Sequence, residues 1–221
     1  VPRDVTDLPI RSALRGALEA RHGPEALVLN ELQLEHSRAF ADVATINGRL
    51  EIYEIKSDAD RLDRLASQAG WYAPVCDSAT LVAAQRHIHR AEVEERVPPW
   101  WGLVAAISVD GRVVLEERRS AGDNPGRDVR AVLNLLRKAE LLKILMARGR
   151  DEPVWHYDKR GAIEEVHELL GAQDAHATAL RVLRYRKTWT ARQLGVATED
   201  ERLAHARRQV APLICMAANQ T

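Results

Sequence analysis

The sequence predicts an α/β fold, a mixed β-sheet flanked by helices, continued by a helical C-terminal region. Three observations carry this expectation. Short β-prone runs are joined by Asn47-Gly48 and Asp110-Gly111 turn signals, a helical period separates the third run from the fourth, and beyond residue 127 apolar residues recur at three and four.

The elements follow in order. Leu8 to Arg21 places Leu8, Leu14, Ala17 and Leu18 at helical spacing before the His22-Gly23-Pro24 stop. Ala26 to Leu34, Ala41 to Ile46 and Leu50 to Lys56 read as a three-strand meander with a hairpin at Asn47-Gly48. Asp60 to Tyr72 repeats Leu62, Leu65, Ala66, Ala69 and Tyr72 at three and four, with Asp60 as a cap and Pro74 just past the end, so a helix crosses over to a parallel strand at Ser78 to Ala84. Ile88 to Val97 reads as a short charged helix, and Leu103 to Val109 with Arg112 to Glu117 as a second hairpin. Ser120 to Arg127 is Gly- and Pro-rich and divides residues 1–120 from a helical region 121–221. There, Val129 to Met146, Ala162 to Leu170, Asp174 to Arg186 and Glu199 to Val210 are the expected helices.

Composition narrows the function classes. The 221 residues carry 32 Lys+Arg and 32 Asp+Glu, 46% apolar and 5% aromatic side chains, which excludes a mainly disordered chain. No apolar run approaches the ~18 residues a membrane span requires, and Val1-Pro2-Arg3-Asp4 lacks a secretory pattern, so a cytoplasmic protein without membrane association is expected. Cys76 and Cys215 stand far apart, as expected for two free buried thiols. The zero net charge conceals an asymmetry: residues 1–98 hold 12 basic and 16 acidic side chains, residues 99–221 hold 20 and 16.

The chemistry concentrates at Asp42 and Glu54-Ile55-Lys56, with Glu31 upstream. Residues two apart on a strand share a face, so Glu54 and Lys56 continue the apolar face of Leu50 and Ile52 and mark a core edge opening into a cleft. The chain uses 27 Arg and only five Lys, so a lysine at 56 favours a compact ammonium that orients water or stabilises developing charge on phosphorus. Carboxylates beside a lysine form a hard-oxygen site suited to Mg²⁺ or Mn²⁺. Hairpin register decides whether the site exists. A two-residue Asn47-Gly48 loop would set Asp42 across from Tyr53, whereas a three-residue loop or one bulge pairs Asp42 with Glu54, Ala44 with Ile52 and Ile46 with Leu50; the second register is expected. An ordinary salt-bridged hairpin is the competing reading. On the following helix Gln68 and Tyr72 lie four apart on one face.

Taken together, Asp42, Glu54-Ile55-Lys56 and Gln68-Ala69-Gly70-Trp71-Tyr72 resemble the D, (D/E)xK and QxxxY motifs of the PD-(D/E)XK nuclease superfamily, in particular small bacterial members near the RecB-type exonuclease domains. Glu31, Asp77 and Pro98 to Leu103 fit the same pattern, which covers roughly residues 10–120. Two departures stand out: Ala41 precedes Asp42 where proline is usual, and Phe40 stands where relatives often carry an arginine, the nearest being Arg38. The resemblance implies a restriction-endonuclease-like αβββαβ core and metal-dependent hydrolysis of a phosphodiester in nucleic acid, DNA in particular. It further implies that Glu31, Asp42, Glu54 and the Ile55 carbonyl hold Mg²⁺ or Mn²⁺, that Asp42, Glu54 and Lys56 are catalytic with Lys56 positioning the attacking water, and that Gln68 and Tyr72 support the site or the nucleic-acid backbone. A homodimer is compatible with it. The alternative is a catalytically inactive nuclease-fold protein that binds nucleic acid or a protein partner; a structural subunit without metal binding is a third reading.

Other signals are weaker. Arg61 and Arg64 are either phosphate contacts or a solvated helix face. Arg181 to Arg192 interleaves five cations with Tyr185 and Trp189, so Arg184 and Lys187 are candidate nucleic-acid contacts, with Ala162 to Arg186 a helix-turn-helix-like pair; a cation-stabilised helix end is the other reading. His87-Ile88-His89 would set two histidines on one side of a strand, without a third zinc ligand, and Trp100-Trp101 is expected to pack under the sheet edge. Gly171 removes an HExxH motif, and no GxxxxGK, GxSxG or GxGxxG is present.

Overall fold

The computed structural model describes residues 4–34, 39–88, 91–150, 153–186 and 188–195. Six strands form one sheet in sequential order: β1 (Leu27–Leu34), β2 (Ala39–Ile46), β3 (Leu50–Lys56), β4 (Ser78–Ala84), β5 (Gly102–Val109) and β6 (Arg112–Arg119). The first three are antiparallel, β4 is parallel to β3, β5 is parallel to β4, and β6 returns antiparallel. Each parallel step needs a crossover. Helix α2 (Leu65–Tyr72) supplies the first, α3 (Gln85–Ile88) with α4 (Ala91–Arg96) the second.

All seven residues of β4 are buried, which requires both faces of the sheet to be covered. On one face, α1 (Asp7–His22) lays Ile10, Leu14 and Leu18 against Val28, Val43, Tyr53 and Ile55. The other face packs α2 together with α5 (Val129–Asn134), α6 (Lys138–Ala147) and α7 (Lys159–Arg184). Leu133, Leu141, Val166 and Leu183 join the same apolar body as Leu29, Ile52, Leu81 and Tyr72, so the helices beyond residue 120 share their core with the sheet. Burial of each such leucine contributes ~1.5–3 kcal/mol. The 120–127 segment is itself pinned, because the Asn124 side chain donates to the carbonyls of Ala73 (2.6 Å) and Cys76 (2.7 Å).

Three helices differ from the sequence expectation. Asp60 does not cap α2: its carboxylate accepts from the Ser57 N–H (2.7 Å) and hydroxyl (2.5 Å), closing a turn, and the helix starts only at Leu65. The expected Val129 to Met146 helix breaks at Leu135 to Arg137, where Glu140 accepts from the Arg137 N–H and the Arg186 guanidinium takes the Leu135 carbonyl. The Ile88 to Val97 helix divides into α3 and α4, and His87 belongs to α3 rather than to a strand, its ring bonded to the Ser57 carbonyl at 2.9 Å. Gly171, at φ 70°, interrupts α7 where the sequence places a turn. A short α8 (Ala191–Leu194) follows; the helix expected at Glu199 to Val210, with Cys215, lies outside the described residues.

The hairpin takes the three-residue loop. Val43 pairs with Tyr53, Ala44 with Ile52 and Ile46 with Leu50, around a turn in which the Asn47 N–H donates to the Arg49 carbonyl and Gly48 has φ 75°. Continued, this register sets Asp42 opposite Glu54.

Candidate active site

Asp42 and Glu54 meet where β2 and β3 part. The alternation of β1 and β2 slips by one residue here. In β1, Leu27 and Leu29 face the larger core before Glu31, and Leu32 and Leu34 after it; in β2, Ala39 and Ala41 do so before Asp42, and Ala44 and Ile46 after it. Glu31 absorbs the change in a left-handed conformation, φ 50°, which is costly for a residue with a side chain. At Asp42 a side chain replaces the ladder: the Ile55 N–H donates to Asp42 Oδ2 at 2.8 Å, while the Asp42 carbonyl accepts from Arg11 Nη1 at 2.5 Å.

Glu54 is 1% exposed and Lys56 5% exposed. A carboxylate at such depth is retained only with partners. Lys56 Nζ donates to Glu54 Oε1 at 2.6 Å, Gln68 Nε2 to the same oxygen at 2.5 Å, and the Tyr72 hydroxyl to Oε2 at 2.5 Å, with the Phe40 carbonyl 3.0 Å from that hydroxyl. Helix α2 thus delivers Gln68 and Tyr72 to the acid that the strand register presents. Trp101, expected under the sheet edge, is fully buried and stacks on the Tyr72 ring, centroids 5.9 Å apart and 7° from parallel, while Trp100 meets Trp101 edge-on at 6.0 Å. Burial and the Glu54 charge push the Tyr72 phenol far above its usual range and keep it a hydrogen-bond donor.

The cleft, about 410 Å³, is lined by Asp7, Phe40, Asp42, Glu54, Ile55, Lys56, Asp60, Arg64, Gln68 and Trp71 among others. Burial, and then the negative charge of Glu54, raise the Asp42 carboxyl to about 6. Two carboxylates sharing one cleft in that way, with the Ile55 backbone beside them, form an all-oxygen donor set that fits a hard divalent cation. Among the described residues no group of three or more His, Cys, Asp or Glu side chains is gathered to hold a metal, so the fit rests on two carboxylates and a main-chain carbonyl.

The other expected residues lie as follows. Glu31 is outside the cleft lining, its carboxylate bound to Arg192 at 2.5 Å. Arg64 is exposed on the cleft rim and makes no ion pair among the described residues, whereas Arg61 pairs with Asp63 at 2.7 Å. Arg184 pairs with Glu25 at 2.7 Å, Arg186 with Glu140 at 2.6 Å and Arg181 donates to Thr178, so the basic stretch is largely committed to intramolecular partners. Arg38, His89 and Lys187 lie outside the described residues. Cys76 is a free buried thiol, pushed up to about 12 by burial. No helix among the described residues is long and apolar enough to cross a membrane.

Sequence reasoning missed one support, Arg11, and singled out another, Asp77, without its structural role. Arg11 holds Asp7 through Nε at 3.0 Å and lies 3.4 Å from Asp42 Oδ1; its i, i+4 spacing from Asp7 was the available signal. Asp77, at the far end of β4, is buried, accepting from the Leu50 N–H at 2.7 Å and from Arg127 Nη1, with His176 Nε2 3.3 Å away. It ties the hairpin, the 120–127 segment and α7 together.

Comparison with known proteins places the sequence in a family. Protein cII of Enterobacteria phage P4 is 35% identical over 80 residues, a match that takes in 36% of this chain and only 30% of that protein's length. No solved structure matches. The model of the family described as Bacteriophage P4 protein cII matches residues 7–206, nearly the whole sequence, and the chain belongs to that family.

Proposed function

We propose that this chain is a divalent-metal-dependent nuclease with a restriction-endonuclease-like core, hydrolysing phosphodiester bonds in nucleic acid, with DNA as the expected substrate. The observation that carries the reading is the placing of Asp42, Glu54 and Lys56 in one cleft, with Glu54 fixed by Gln68 and Tyr72 from α2. The succession α1-β1-β2-β3-α2-β4, with β3 and β4 parallel, supports the αβββαβ core.

Asp42, Glu54 and the Ile55 carbonyl would hold Mg²⁺ or Mn²⁺, which when bound lowers the pKa of water and offsets charge on the scissile phosphate. Lys56 keeps its ammonium at Glu54, where it can hold the attacking water and answer negative charge developing on the phosphoryl oxygens. Tyr72 and Gln68 fix the Glu54 carboxylate, so little reorientation is needed when substrate arrives. Arg64 reaches phosphate from the rim. While Arg192 holds Glu31, that residue has no ligand role in this reading.

One observation favours a second reading. Both Glu54 oxygens already accept from protein donors, a saturation that suits a catalytically inactive nuclease-fold protein binding nucleic acid or a protein. Labelled single- and double-stranded DNA and RNA, incubated with Mg²⁺, Mn²⁺ or EDTA beside Glu54→Ala, separates the two. Metal-dependent cutting lost in the variant supports the nuclease; no cutting of any substrate supports the binder.

A further inference from the structure

We infer that the cleft accepts an unpaired nucleotide, its base against Phe40 and Trp71 and its phosphate on the Arg64 and Lys56 side. This rests on the nuclease reading and names its substrate class. Phe40 is the one phenylalanine of the chain and is 50% exposed, although Ala39 and Ala41 on either side are buried. Half of its ring faces solvent at the mouth of the cleft, where a planar apolar partner can cover it. Phe40 is also held there, because its carbonyl is tied to the Tyr72 hydroxyl that grips Glu54. Trp71, half-buried, lines the same cleft from α2.

Charge fixes the orientation. Asp7, Asp42, Glu54 and Asp60 line one cleft with Lys56 and Arg64, so a phosphate is favoured on the side of the two cations and of any metal held by Asp42 and Glu54, leaving the base to the aromatic wall. The cleft's volume, about 410 Å³, lies at the lower end of the range of small-ligand sites and suits one nucleotide rather than a duplex. A paired duplex buries its base faces in the stack, whereas an unpaired or flipped base offers a face to an aromatic side chain. Single-stranded DNA and single-stranded RNA share that chemistry, and the test separates them.

Fluorescence anisotropy of the full chain in Ca²⁺ would compare a labelled 12-nucleotide DNA strand, the same strand in RNA, a blunt hairpin duplex and a strand of abasic sites, for wild type, Phe40→Ala, Trp71→Ala and Trp71→Phe. At least one single strand should bind tenfold or more tightly than the duplex, and Phe40→Ala should weaken it roughly 5- to 100-fold, as expected for loss of one stacking platform. The same variant should change abasic-strand binding less than twofold, and Trp71→Phe should retain what Trp71→Ala loses. Equal or tighter binding of the duplex, or a Phe40→Ala effect that is absent or the same on the abasic strand, overturns the inference. Metal-dependent cleavage with that outcome leaves the nuclease reading intact; Phe40-dependent binding of a single strand without cleavage of any substrate removes the nuclease reading and supports the unpaired-nucleotide site.

Discussion

The main-chain N–H of Ile55 donates to the Asp42 carboxylate at 2.8 Å, so strand β3 grips the acid of β2 at the residue where their regular pairing stops. The junction is possible because Glu31 takes the left-handed conformation directly across from Asp42, letting both strands change face together. An acid is thereby fixed in the middle of β2, beside Glu54, instead of being turned to solvent.

That proximity gives Asp42→Asn an unusual sign. The folded carboxyl titrates at about 6 against an ordinary 3.8, so the folded state holds the proton more tightly than the unfolded chain does. Ionised Asp42 therefore costs stability as pH rises through this window, fully by pH 7, by at most about 3 kcal/mol. Asparagine keeps an acceptor for the Ile55 N–H but loses the Arg11 ion pair, so the variant should be more stable than wild type by about 1 kcal/mol in metal-free buffer at pH 7. The gain should vanish at pH 4. Urea denaturation at the two pH values reads both terms, and a variant less stable at pH 7 contradicts the electrostatic account.

Tyr72→Phe removes one hydroxyl while the ring keeps its stack on Trp101. Glu54 Oε2 then loses its donor inside the protein, which should cost about 1–3 kcal/mol. Thermal unfolding should show that loss, and any metal-dependent cleavage should fall by more than tenfold because Glu54 is no longer fixed. A Tm equal to wild type would mean that the hydroxyl contributes nothing to holding Glu54.

Arg11 acts on the cleft through Asp42. Arg11→Ala should weaken Mn²⁺ binding, measured by titration calorimetry, roughly 10-fold, as for other residues that orient a ligand from behind it. Arg11→Lys should recover part of the affinity, since one donor can still reach the Asp42 carbonyl. Equal affinity in all three proteins would remove Arg11 from the site.

Asp77→Ala tests the opposite end of the sheet. It strips acceptors from the Leu50 N–H and Arg127 and leaves His176 without its neighbour, at a cost of about 3 kcal/mol in chemical denaturation. Asp77→Asn, which retains an acceptor, should cost less.

Much of this arrangement was legible in the residues because it is periodic. The face shared by Leu50, Ile52, Glu54 and Lys56 follows from strand alternation, and the three-residue loop follows from requiring Asp42 to meet Glu54. Gln68 and Tyr72 reach the same acid because they lie one helical turn apart. What the pattern hides is the choice of partner for each polar side chain. Asp60 closes a turn with Ser57 rather than capping α2, and Arg184, Arg186 and Arg192 find carboxylates distant in sequence. Likewise a basic run reads as a phosphate surface until folding brings Glu25, Glu140 and Glu31 to it. The break at Leu135 to Arg137 escapes the apolar period because Glu140 and Arg186, not a proline or glycine, satisfy the freed main chain.

Lys56, beside Glu54, is proposed to take part in metal-dependent phosphodiester hydrolysis. The most direct test is the single-turnover cleavage rate of a labelled oligonucleotide in Mg²⁺, for wild type and Lys56→Ala, with oligonucleotide binding measured in Ca²⁺ alongside. Wild type should cleave in a reaction that EDTA abolishes, and Lys56→Ala should cleave at least 100-fold more slowly with binding changed less than about fivefold, corresponding to ~3 kcal/mol of transition-state stabilisation. Equal rates in the two proteins, or no cleavage by folded wild type in any divalent metal, would contradict it.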